Sequence, residues 1–145
     1  MNTRQFFVAY AAAAIIFLAL DAIWLTTMAD LLYRPLLGRL MLGRFELVPA
    51  ALFYALYFAG VVVFAIAPAL AGGRWTAALG LGALLGLVAY GTYDLTNQAT
   101  LQGWPWRLTI ADLCWGTFAT AAAAAMGYGV TAWQFGPRST VLRRA

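Results

Sequence analysis

The sequence contains no lysine and no histidine, has one cysteine, and carries little charge of either sign. Each absence removes a class of chemistry. Without lysine there is no Schiff base to retinal or pyridoxal. Without histidine there is no imidazole base, no histidine-ligated haem and none of the usual zinc sites. Cys114 cannot form an internal disulfide or a paired-thiol metal site, and inside an apolar run it reads as a small packing residue. Catalysis, if there is any, must rest on Asp, Glu, Tyr, Thr, Ser, Asn, Arg or that thiol. Only 10% of the residues are charged, where a soluble domain typically has about 25%.

What is present is hydrophobic: 64% of 145 residues, with several apolar runs of spanning length. The expected fold is all-α, a single integral membrane domain over 1–145 with four transmembrane helices at about 5–28, 48–70, 75–97 and 108–133. Residues 30–46, DLLYRPLLGRLMLGRFE, are too charged to span. With Pro35 expected to break any helix there, this stretch reads as a broken interfacial segment between helices 1 and 2. Thr27-Met28-Ala29 would pass as a signal-peptide cleavage site. Asp21 and Trp24 interrupt the preceding apolar run, so the first span is expected to be retained.

The stretch around which the chain is organised is Gly80–Asn97, GLGALLGLVAYGTYDLTN. Gly82, Gly86, Tyr90, Tyr93 and Asn97 recur at steps of four and three and share one helix face. Gly82 and Gly86 form a small-xxx-small pair that admits a close neighbour. Asp94 stands at the end of the run, where a carboxylate needs a partner, a proton or a cavity.

Four spans alternate in direction, so sequence position converts into depth. Taking the amino-terminal side as A and the other as B, the first and third spans end at B and the fourth begins there. Asp21 falls about 10 Å short of the B end of its span at 1.5 Å per residue. Asp94 lies in the last turn of the third span, and Asp112 in the second turn of the fourth. All three aspartates therefore belong to the B half, with Tyr90, Tyr93, Asn97, Trp24, Trp115 and the arginines of the 30–46 segment. Asp21, Asp94 and Asp112 are the candidate catalytic residues. Tyr90, Tyr93, Asn97, Trp24, Trp115, Arg34 and Arg39 are the candidate binding residues. Arg34, Arg39 or Arg44 either rests on lipid phosphates or turns inward to pair with a buried aspartate. No spacing rule supports an oxygen-only divalent site from the three aspartates; neither a metal nor a cofactor is expected. Trp104 and Trp106 read as interface anchors.

Asp21-Ala-Ile-Trp24-Leu-Thr26 and Asp112-Leu-Cys-Trp115-Gly-Thr117 share the pattern D-x-x-W-x-T. Because the two copies stand at opposite ends of their helices, they support a gene duplication only weakly. Side A carries Arg4, Arg74, Arg138, Arg143 and Arg144, and side B carries Arg34, Arg39, Arg44 and Arg107. The positive-inside rule then puts side A, with both termini, in the cytoplasm.

These motifs resemble a bacterial family of small four-span membrane proteins, domain-of-unknown-function family 2177. The residues that carry the resemblance are Asp21-Ala-Ile-Trp24-Leu, Tyr93-Asp94-Leu-Thr96-Asn97 with Ala99-Thr100-Leu101, Trp104-Pro105, and Asp112-x-x-Trp115-Gly116, and it extends from about Phe7 to Gly129. It implies the fold and a multi-pass place in the bacterial inner membrane, but no activity. Members occur near lipid-modifying genes, which tilts the expectation toward lipid chemistry.

Three function classes are compatible with these residues. The first is a lipid- or small-molecule-handling protein, extending to an enzyme in which neighbouring carboxylates divide into acid and base without histidine. The second is a proton-coupled carrier, for which four spans would need a dimer. The third is an assembly partner. The expected partners are membrane lipids, and a second copy or other membrane proteins through the Gly/Ala faces; no nucleic acid is expected.

Overall fold

The amino terminus is closed by a capping box: Asn2 Oδ1 accepts from the Gln5 N–H and Gln5 Oε1 from the Asn2 N–H, each at 2.9 Å. From there the computed structural model, which describes residues 1–44 and 46–136, is built of four long helices, with no strand among the described residues. They are α1 (Thr3–Leu37), α2 (Leu47–Gly72), α3 (Trp75–Thr100) and α4 (Trp106–Phe135), each long and apolar enough to cross a membrane. The tail arginines Arg138, Arg143 and Arg144 lie outside the described residues.

The second to fourth spans match the expected ones within three residues at either end. The first does not. Pro35 does not break the chain; α1 runs on to Leu37 and ends at Gly38, whose φ of +47° favours glycine. The segment between α1 and α2 is correspondingly shorter than expected, and it contains one 3-10 turn, Gly38–Leu40. The reason lies just upstream. Ala29–Tyr33 is a π turn in which the Arg34 N–H reaches back five residues to the Ala29 carbonyl. A proline inside an α-helix lacks an N–H and collides with the carbonyl four residues before it. A π turn widens the helix at that point and makes room for the proline ring. Helix α2 does the same: Val62–Ile66 is a π turn, the Ala67 N–H bonds the Val62 carbonyl, and Pro68 comes next. Each proline stands two residues after its π turn.

Helix α4 packs most extensively against α3 and also against α1, while the π turn of α2 touches all three other helices. The interior is built largely of small residues (Ala9, Ala13, Ala65, Ala78, Ala119, Ala123, Ala124) around Phe17, Tyr57, Phe58 and Ile66. Many large apolar side chains, such as Ile15, Leu56, Leu84 and Trp133, point outward. This is the pattern of a bundle in lipid, where close backbone approach, not water exclusion, drives helix association.

The expected glycine face is the tightest seam. A Cβ on Gly82 would lie 2.7 Å from Ala124 Cβ and 2.9 Å from the Thr120 carbonyl. One on Gly86 would overlap the Gly116 carbonyl and lie 2.7 Å from Thr120 Oγ1. Gly116 in turn lies under the ring of Tyr90, with Cε2 at 2.6 Å from its Cβ position, and Gly127 faces Ile66 and the Ala9 carbonyl. Gly80 and Gly129 face open space. Gly86→Ala should therefore lower the melting temperature of the detergent-purified protein sharply or prevent folding. Gly80→Ala should be neutral or stabilising by up to about 1 kcal/mol. Equal melting of the two variants would mean that the α3–α4 seam is looser than described.

Candidate functional site

Antiparallel packing of α1 on α4 makes the two D-x-x-W motifs meet. Because the helices run in opposite directions, the end of one lies level with the beginning of the other. Asp21 meets Trp115 directly, and Trp24 reaches Asp112 through Tyr33. The indole rings of Trp24 and Trp115 stack at 4.5 Å and 6°. Around this stack each aspartate is held by aromatic donors. Asp21 accepts the Tyr54 hydroxyl at 2.5 Å on one oxygen and the Trp115 Nε1–H at 3.2 Å on the other. Asp112 accepts the Tyr33 hydroxyl at 2.6 Å, and that hydroxyl accepts the Trp24 Nε1–H at 2.9 Å. Both aspartates are buried. A carboxylate satisfied by aromatic O–H and N–H groups can sit in a low-dielectric interior without a base beside it.

Tyr33 reaches this network because of the π turn. In an unbroken α-helix, residues nine apart lie on opposite faces at about 100° per residue. The residue inserted at Ala29–Tyr33 removes about one step, swinging Tyr33 toward the face of Trp24.

Asp94 stands differently. It exposes none of its surface, and neither carboxylate oxygen has a hydrogen-bond donor. It lies within Coulombic range of Asp112, which in turn lies within range of Asp21. Trp104 closes this end of the bundle. Trp104 is not an interface anchor: it is buried, packs edge-on against Tyr93 at 5.7 Å, and bonds within a ring of three residues. Its Nε1–H donates to Thr109 Oγ1 at 3.2 Å, the Thr109 hydroxyl to Gln98 Oε1 at 3.2 Å, and Gln98 Nε2 to the Trp104 carbonyl at 3.0 Å. The Trp104 Nε1–H, which donates to Thr109, is also the one donor beside the Asp94 carboxyl. Trp106 is exposed, as an anchor would be.

Beside the network, between α2 and α3, is a cleft of about 330 Å³ walled by Phe53, Ala89, Tyr90 and Tyr93. Phe53 and Tyr93 are exposed on its rim. Tyr90 is half-buried and stands near Asp21, Tyr57, Tyr54 and Tyr33, yet its hydroxyl bonds none of them. Tyr57, deeper in, is bound to Thr120 Oγ1 at 2.6 Å.

The structure thus brings Asp21, Asp112, Trp24 and Trp115 into one network, places Asp94 beside it, and sets Tyr90 and Tyr93 on the cleft. Asn97 is half-buried next to Tyr93. Arg34 is not part of the site: it is exposed and pairs with Asp30 at 3.1 Å. Arg44 is exposed as well. The inward-turning arginine therefore fails for both, because each side chain is exposed and away from the buried aspartates. The side chain of Arg39 lies outside the described residues. Sequence reasoning missed Tyr33, Tyr54, Gln98 and Thr109. Tyr54 carried a signal, an aromatic early in the otherwise uncharged second span; Tyr33 carried none without knowledge of the π turn.

The sequence matches, over residues 6–129, the family described as predicted membrane protein DUF2177. The chain belongs to that family. No curated protein and no solved structure matches it. The matched stretch of DUF2177 contains both D-x-x-W motifs, Asp94, Trp104 and all four walls of the cleft.

The Tyr33 bridge is testable. Tyr33→Phe removes a hydroxyl that serves Trp24 and Asp112 at once, so it should lower the unfolding free energy by about 1–3 kcal/mol. In a double-mutant cycle with Trp24→Phe the losses should couple by at least about 0.5 kcal/mol. Strictly additive losses would show that the two side chains are not bonded.

Proposed function

We propose that this DUF2177 protein handles a lipid or small amphiphile in the inner membrane, and that the binding site is the cleft between α2 and α3. The observation that carries the reading is the cleft itself. Its volume of about 330 Å³ lies at the lower end of the range for ligand pockets, roughly 300–1,000 Å³. It is apolar, it opens on the flank of spanning helices, and the hydroxyl of Tyr90 on its wall bonds none of its neighbours. An acyl chain can enter such a cleft from the bilayer without crossing water, and Tyr90 can then hold an ester or headgroup oxygen. Binding is better supported than catalysis. Asp21 and Asp112 are occupied by aromatic donors, and Asp94 has no surface to meet a substrate.

The test is photolabelling in nanodiscs with a phospholipid carrying a diazirine on its acyl chain, read by peptide mass spectrometry. Label should concentrate on Phe53 and on Tyr90–Tyr93. Ala89→Trp, which fills the cleft, should remove most of that label without changing the melting temperature. Even labelling of all lipid-facing helix surfaces in the parent protein would overturn the assignment.

For orientation, we infer from the arginines of side A that both termini face the cytoplasm. A cytoplasm-active reporter fused after Ala145 should be active, and a periplasm-active one silent. The reverse pattern would turn the aspartate end of the bundle toward the cytoplasm.

A further inference from the structure

Asp94 poses a problem of charge that no described side chain answers. Its groups can be taken element by element. From α4, Asp112 faces it. From its own helix come Tyr93, one residue back, and Asn97 beside that tyrosine. From the α3–α4 loop comes Trp104, whose N–H is directed to Thr109. From α1 come Tyr33, bound to Asp112, and Trp24, bound to Tyr33, with Asp21 beyond. Helix α2 contributes Tyr54, bound to Asp21. Among the described side chains no arginine reaches any of the three aspartates; the ion pair they form, Arg34–Asp30, is exposed.

A carboxylate stripped of water still costs several kcal/mol after the protein relaxes, unless donors or a counter-charge compensate. Asp21 has two donors and Asp112 has one. Asp94 has none in hydrogen-bond geometry, the nearby Trp104 N–H being given to Thr109, and Asp112 beside it can carry the same sign of charge. None of the described side chains supplies the positive charge that would compensate it. We propose that Asp94, backed by Asp112, binds a single monovalent cation, a proton or an alkali-metal ion, inside the bundle. A divalent ion fits poorly. Calcium takes six to eight oxygens, and no group of three or more Asp, Glu, Cys or His side chains able to hold a metal converges among the described residues. This site is separate from the lateral cleft and does not depend on the lipid reading.

The experiment uses the full chain in phospholipid nanodiscs and two series of melting curves. One varies pH in choline chloride; the other holds pH fixed and exchanges choline for sodium or potassium. Whatever binds the folded state alone stabilises it in proportion to the logarithm of its concentration. The parent should therefore gain about 3 °C or more per tenfold increase in the bound cation. A gain toward acid identifies a proton, and a gain with sodium or potassium an alkali ion. Asp94→Asn has nearly the shape of the neutral acid and needs no counter-charge, so it should lose that gain of about 3 °C per tenfold in whichever series moves the parent. Asp30, Glu46 and Asp112 remain in that variant, so the difference isolates Asp94.

Should Asp94→Asn fail to fold, the unsubstituted protein still answers. A proton shows as the infrared carbonyl stretch of a carboxylic acid that persists in neutral buffer, and an alkali ion as one equivalent of retained radioactive sodium or rubidium. A parent that is flat in both series, a variant that responds as the parent does, or the absence of both the carbonyl band and the retained ion would overturn the proposal.

Discussion

Everything at the aspartate end of this bundle depends on how closely α3 approaches α4. At Gly86 and Gly116 the two backbones touch with no side chain between them, and the ring of Tyr90 covers Gly116. A single methyl group at Gly86 would meet the Gly116 carbonyl. Because the helices are antiparallel, that contact sets the level of the neighbouring turns on both. Tyr90 is brought level with Asp112, and Asp94, one turn further along, is sealed under Trp104 at the start of α4. Were the helices a few ångströms further apart, Asp94 would have room for water or lipid headgroups and would present no problem of charge.

The second constraint is the rule that polar groups in a bilayer find partners within the protein. Here it is met by aromatics. The D-x-x-W motifs place one acid and one indole side by side on each of two helices, and the antiparallel crossing lets them serve each other. Asp21 takes its donor from the tryptophan of the other motif directly, and Asp112 does so through Tyr33. The separation of the two motifs to opposite helix ends, which weakens them as evidence for duplication, is what allows them to meet. Asp94 stands outside this arrangement, which sets it apart from the two acids that hold the helices together.

The fold was legible because hydropathy over twenty residues overwhelms local detail: three of four spans agree within three residues, and the convergence of Asp21, Asp94 and Asp112 results from alternating direction alone. The Gly82–Gly86 face was legible because small residues at a four-residue step have few uses in lipid. What was not legible depended on departures from regular geometry. Pro35 carries a strong local signal for a break, yet the π turn before it lets the helix pass. The same turn carries Tyr33 into the site, and period-3.6 reasoning would leave it outside. Trp104 has the composition of an interface anchor, and only the Gln98–Thr109 pair reveals it as a plug. Arg34 lay at the right depth to reach an aspartate, but its partner, Asp30, is four residues away on the same helix.

The π turn of α1 also bears on how DUF2177 sequences can be aligned. Its extra residue acts as a register shift, so the columns before Ala29 and those after Tyr33 obey different helical phases. A relative lacking that residue would look like one with a trivial length difference near a loop, yet every side chain from there to Gly38 would be turned by roughly a third of a circle. The position aligned with Tyr33 would then face away from Asp112. A one-residue gap at this point marks a change in which side chain reaches the aspartate, and relatives are better sorted by its presence than by overall identity.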